Sequence, residues 1–111
     1  MKSYTSLDQA RKLAEILPLE SADMCYIKGK AQLGFLYEEY KEFGDTVLQE
    51  YEPCWSLVAL LELMPKLHKL QHSEEGYYCS LANYKCVTES YNNPVDACYN
   101  MIIKLHELNL L

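Results

Sequence analysis

Apolar residues recur at the spacing of one helical face at Leu7, Ala10, Leu13, Ala14 and Leu17, which predicts an N-terminal helix over residues 6–17. Ser6 stands at its N-cap with Gln9 at the reciprocal capping-box position, and Pro18 ends it. Across residues 19–52 the pattern weakens. Gly29, Gly34 and Gly44 interrupt any long helix, while Leu33, Leu36, Tyr37 and Tyr40 keep a helical spacing. The expectation there is a helix over 33–42 with loop around it.

A second helix is predicted over residues 56–64. Ser56 is its cap, Trp55 can fold onto Leu60 as a hydrophobic staple, and Pro65 closes it after about two turns. Because Leu57-Val58-Ala59-Leu60-Leu61 is apolar on nearly every side, this helix is expected to be central and buried. Residues 66–72 fit either an extension of the helix or an edge strand, and Ser73-Glu74-Glu75-Gly76 reads as a turn.

From 76 to 90 the aromatic and β-branched content predicts an antiparallel hairpin. With Ala82-Asn83 as a two-residue loop, Leu81 would face Tyr84, Cys79 would face Cys86, and Tyr77 would face Thr88 on the core side. Tyr78, Ser80, Lys85 and Val87 would lie on the other side. The last helix, 94–108, starts sharply: Asn93 caps, Pro94 occupies the first position where no amide proton is needed, and Asp96 meets the positive end of the dipole. Its buried stripe is Val95, Cys98, Met101, Ile102, Leu105 and Leu108. The fold expected is α+β: N-terminal helices, an antiparallel hairpin or small sheet, and a C-terminal helix packed on that sheet. The core is expected at Leu13, Leu17, Trp55, Leu57, Leu60, Leu61, Leu81, Val95, Cys98, Met101, Ile102 and Leu105.

At 111 residues, half of them apolar, the chain fits a single domain, 1–111, whose core needs no disulfide or metal. The formal charge of −6 is shared by both halves, with no basic arm, and the close basic pairs are Arg11-Lys12, Lys28/Lys30 and Lys66/Lys69. Duplex binding draws on Lys and Arg to neutralise phosphates, so direct nucleic-acid binding is not expected. The start, Met1-Lys2-Ser3-Tyr4-Thr5, lacks the apolar stretch of a signal peptide, and the longest apolar run, Leu57 to Leu61, is too short to span a bilayer. A soluble cytoplasmic protein is expected. Five cysteines, Cys25, Cys54, Cys79, Cys86 and Cys98, then fit reduced thiols better than a disulfide framework, and no C-x-x-C pair supports zinc.

Candidate chemistry is sparse. His68 and His72 would share one face of a helix and could chelate a metal, but no Cys or Glu stands at a supporting spacing, and two solvated histidines are the simpler reading. Cys54 beside Trp55 at a helix start can be pictured as an activated thiol, but no motif positions a His–Asn or His–Asp partner for it, and an ordinary buried cysteine is the stronger reading. Cys79 and Cys86 read as apolar fillers across the hairpin rather than as a disulfide. Glu38, Glu39, Glu42 and Asp45 read as a solvated acidic face. The sequence therefore names no catalytic, cofactor-binding or metal residue and favours a non-enzymatic protein. Its ten tyrosines are the one compositional excess, and tyrosine serves interfaces well. The surface expected to bind a protein partner is the hairpin face bearing Tyr78 and Val87 or the hairpin edge, and a symmetric homodimer is one such partner.

Three blocks carry a family likeness: Glu20-Ser21-Ala22-Asp23-Met24-Cys25-Tyr26, Pro53-Cys54-Trp55-Ser56-Leu57 with Leu60 to Pro65, and Asn93-Pro94-Val95-Asp96-Ala97-Cys98 with Met101 to Glu107. Together they resemble a group of small uncharacterised proteins of bacteriophages and integrated elements in Bacteroides and its relatives. The likeness implies a mobile-element setting and no activity. Residues 74–107 are also similar to the strand–strand–helix pattern of HicB-type antitoxins, whose partial RNase H-like domain binds a toxin. This chain departs from that pattern: it lacks the usual Pro and Gly around Ala82-Asn83, and no DNA-binding segment follows the helix before Leu111. An operator-binding role is accordingly not expected.

Overall fold

The computed structural model describes residues 1–27, 29–33, 51–66, 68–81 and 86–111. Within them the chain is α+β, with three α-helices and two small antiparallel sheets. It falls into two compact units, Tyr4–Ala59 and Met1–Ser3 with Leu60–Leu111.

The first unit begins with helix α1, Leu7–Ile16, started by the expected capping box. The Ser6 hydroxyl accepts from the Gln9 amide at 3.2 Å, and the Gln9 side chain accepts from the Ser6 amide at 3.0 Å. Ala10 and Leu13 form its buried stripe. After a short 3₁₀ turn, Leu19–Ser21, come the strands β1, Met24–Ile27, β2, Lys30–Leu33, and β3, Tyr51–Cys54, in sheet order β2-β1-β3. These strands correct the loop expected over this region, and Leu33 closes β2 instead of opening a helix. The remainder of the helix expected over 33–42 lies outside the described residues. Ile27 pairs with Lys30 across a two-residue connection whose second member, Gly29, has φ 82°, a conformation glycine adopts at no steric cost. Met24, Cys25 and Tyr26 are buried in succession, so β1 is covered on both faces and shows no alternation. Pro53 lies opposite Cys25 on β3, an outer strand of the sheet, where a missing amide proton is tolerated. Helix α1 packs on β3.

Helix α2, Leu57–Leu63, carries the chain from one unit to the other. The Ser56 hydroxyl accepts from the Ala59 amide at 3.2 Å as its cap. Ala59 and Leu60 are buried, but Leu57, Leu61 and Leu63 are half-buried and Val58 is 62% exposed. The helix is therefore one-sided, and Leu57 and Leu61 leave the expected core. At seven residues it presents one stripe to the interior and the rest to water, whatever its composition.

In the second unit, β4, His68–Ser73, β5, Gly76–Leu81, and β6, Cys86–Val87, form a sheet in that order. Residues 68–73 are thus an edge strand rather than a helical extension, turning through Glu74-Glu75 so that Ser73 pairs with Gly76. The Ala82-Asn83 loop lies outside the described residues, but the strands around it pair Leu81 with Cys86 and Ser80 with Val87. The register expected from a two-residue loop is corrected, leaving four residues between the strands. Tight two-residue hairpins favour Asn-Gly or Asp-Gly, which Ala82-Asn83 does not supply. The sidedness is unchanged, because Cys86 stays on the face of Leu81 and Cys79, and Val87 on that of Tyr78 and Ser80.

Helix α3, Pro94–Glu107, packs on the inner face of this sheet. The Asn93 side chain accepts from the Asp96 amide at 2.9 Å, and Lys2 reaches Asp96 at 2.8 Å. Val95, Ala97, Cys98, Met101, Ile102 and Leu105 are buried, whereas Leu108, at the end of the expected stripe, is 52% exposed. At the near end of β5, Tyr77 exchanges backbone hydrogen bonds of 2.8 Å with Tyr91 in both directions. Gly76 has φ 128°, and a Cβ there would fall inside the van der Waals envelope of the Tyr91 carbonyl oxygen. Gly76→Ala should therefore cost about 1–3 kcal/mol of stability in denaturant titration. An unchanged midpoint would contradict this close approach.

Candidate functional site

The expected contact residues sit together on the outer face of the C-terminal sheet, away from α3. Gln71 is opposite Tyr78 and Lys69 is opposite Ser80, which in turn pairs with Val87, so alternation puts Lys69, Gln71, Tyr78, Ser80 and Val87 on one surface. Val87 is 50% exposed, Lys69 and Gln71 are exposed, and Tyr78 is half-buried. The Val87 carbonyl accepts from Lys104 Nζ at 2.9 Å, which ties the short β6 to α3. Beside it runs an open groove of about 350 Å³ lined by Val87, Thr88, Tyr91, Asn100, Lys104 and Glu107. Burial, then Glu89 and Asp96, push the Tyr91 hydroxyl pKa up, so it stays protonated and can donate or accept there.

His68 and His72 are on strand β4, not on a helix. His68 Nδ1 lies 2.8 Å from the Pro65 carbonyl, and the His72 ring stacks on Tyr77 with centroids 4.2 Å apart and planes 9° apart. Each imidazole thus has a local role, and among the described residues no three His, Cys, Asp or Glu side chains gather as a metal site. The carboxylates Glu38, Glu39, Glu42 and Asp45 lie outside the described residues.

Cys54 belongs to a buried polar cluster centred on Thr5, which is fully buried. The Thr5 hydroxyl is 3.5 Å from Cys54 Sγ and accepts from the Trp55 amide at 3.2 Å, while the Thr5 amide donates to the Trp55 carbonyl at 2.9 Å. Tyr26 donates its hydroxyl proton to the Thr5 carbonyl at 2.5 Å. Burial raises the Cys54 thiol pKa, and burial first, with Cys54 and Tyr4 adding, pushes Tyr26 up to about 12. A nucleophilic cysteine needs the opposite shift, so the cluster reads as a clamp holding the N-terminal segment to the end of β3. Trp55 completes it by donating Nε1–H to the Ser21 hydroxyl at 2.9 Å. Asp23 accepts from the Ser56 amide at 2.9 Å and from the Ser56 hydroxyl, so the cap of α2 is itself held.

Cys79 is not opposite Cys86. Its Sγ is 3.8 Å from Cys98 Sγ on α3, and Cys86 Sγ is 4.0 Å from Met101 Sδ, so the interior between sheet and helix is sulfur-rich. All five thiols are free and buried. The sequence placed Cys79 on the core face of the hairpin and Cys98 on the buried stripe of the helix, and combining the two would have brought them into the same interior. Comparison of the chain with protein-family models, curated proteins and solved structures finds no match.

Proposed function

We propose that this protein acts by protein–protein contact rather than by catalysis, as an accessory protein of a phage or prophage, and that its outer sheet face pairs with a second copy of the chain. The observation that carries the reading is Val87, half exposed beside Tyr78 on a sheet face opposite the one that α3 covers. Large apolar and aromatic side chains on a polar-rimmed face favour association. A second copy suits this face because two-fold pairing is the commonest closure of an exposed face. The sequence blocks that resemble phage proteins support the setting.

A second reading is an inhibitor that caps a toxin or nuclease. The order β5, β6, α3 favours it, since it matches the strand–strand–helix pattern of the antitoxins that residues 74–107 resemble. A pull-down from infected or lysogenic cells separates the two: capture of a toxin or nuclease in stoichiometric yield favours the inhibitor.

Light scattering at micromolar concentration should give about twice the 12.9 kDa chain mass. Tyr78→Glu combined with Val87→Lys should return it to the monomer. A monomer at every concentration would remove the dimer, and a dimer untouched by both changes would remove this face.

A further inference from the structure

Cys79 comes from the middle of β5 and Cys98 from the second turn of α3, 19 residues apart in the chain, yet their sulfurs are in direct contact at 3.8 Å. Both side chains are fully buried. Closure to a disulfide needs the sulfurs to approach from 3.8 Å to about 2.05 Å. We propose that Cys79 and Cys98 form an oxidisable dithiol that a hydroperoxide converts to a disulfide joining strand β5 to helix α3.

The hydrogen bond shared with Cys98 lowers the pKa of Cys79, and either sulfur can lead the attack with the same balance of atoms. With Cys79 leading, Cys98 is the resolving thiol. The Cys79 thiolate attacks one oxygen of the hydroperoxide, the O–O bond breaks, and the other oxygen leaves as hydroxide or alkoxide and takes up a proton. The product is a sulfenic acid on Cys79. Cys98 sulfur then attacks Cys79 sulfur, the S–O bond breaks, and water departs with the Cys98 proton. Two thiols are oxidised by two electrons, and one peroxide bond is reduced. Because the pair is fully covered, the step proceeds from local openings of the sheet–helix packing, and reclosure favours the contact already present in the fold. Cys25 and Cys54 belong to the Tyr4–Ala59 unit, and Cys86, in the same sheet–helix interior, lies against Met101 rather than against either sulfur of the pair.

The test is treatment of the reduced, folded chain with hydrogen peroxide, followed by thiol alkylation in denaturant, non-reducing digestion and mass spectrometry. The expected result is one cross-linked peptide pair containing Cys79 and Cys98, with Cys25, Cys54 and Cys86 fully alkylated. The thermal midpoint should rise and return after dithiothreitol. A parallel sample oxidised in denaturant should give a mixture of cross-links, which shows that the selectivity belongs to the fold. Absence of the Cys79–Cys98 link at a dose that oxidises the denatured chain would overturn the proposal. So would a native cross-link between any other pair, or a midpoint lowered by the link.

Discussion

Trp55→Ala is expected to destabilise the Tyr4–Ala59 unit by about 3–5 kcal/mol, the usual cost of emptying a large buried aromatic site. Trp55 is fully buried, and its indole N–H donates to Ser21, whose own hydroxyl donates to the Pro18 carbonyl. Truncation thus removes apolar volume and leaves Ser21 without the proton it accepts. Against a domain stability of about 5–15 kcal/mol, the loss is large enough to populate unfolded chains in dilute denaturant. Trp55 is the only tryptophan, so far-ultraviolet circular dichroism must replace fluorescence as the probe. Trp55→Phe, which keeps much of the volume, should lose distinctly less. Equal losses in the two variants would place the energy in the indole hydrogen bond rather than in packing.

The second large effect is Ile102→Ala, expected to cost about 2–5 kcal/mol because Ile102 is fully buried in the stripe of α3 that faces the sheet. Leu61→Ala removes the same class of side chain from a half-buried position on α2 and should cost roughly half as much or less, since less apolar area leaves the interior. The ordering of the two is the check. A Leu61 loss equal to that of Ile102 would mean that α2 buries Leu61 fully.

The elements that were legible from the sequence are those whose signals are local. Ser6 with Gln9, and Asn93 with Pro94 and Asp96, fix helix starts within four residues, and both helices begin where those caps stand. Strands β1 to β3 were not legible, because Met24-Cys25-Tyr26-Ile27 is covered on both faces and so never alternates, and because Pro53 inside β3 reads as a breaker until its outer place in the sheet is known. Gly29 after that apolar run was the available signal for a hairpin. The outer face of the C-terminal sheet was legible for a different reason. A register error of one pair on each side leaves every side chain on its own face, so Tyr78 and Val87 stay together although their strands pair differently. Cys79 and Cys98 were each legible as core-facing, but their direct contact was not, since it depends on how α3 lies on the sheet and not on any strand spacing. Among the described residues no helix is long and apolar enough to cross a membrane, which agrees with the short apolar runs.

The proposed dimer requires a sheet that gives one face to α3 and the other to a second copy. Isotope-filtered NOE spectroscopy on an equimolar mixture of labelled and unlabelled chains tests that directly. Contacts between copies should connect the Val87 methyls and the Tyr78 ring with outer-face residues such as Lys69 and Gln71. Intermolecular NOEs confined to other surfaces, or none at concentrations where the mass is that of a dimer, would contradict it.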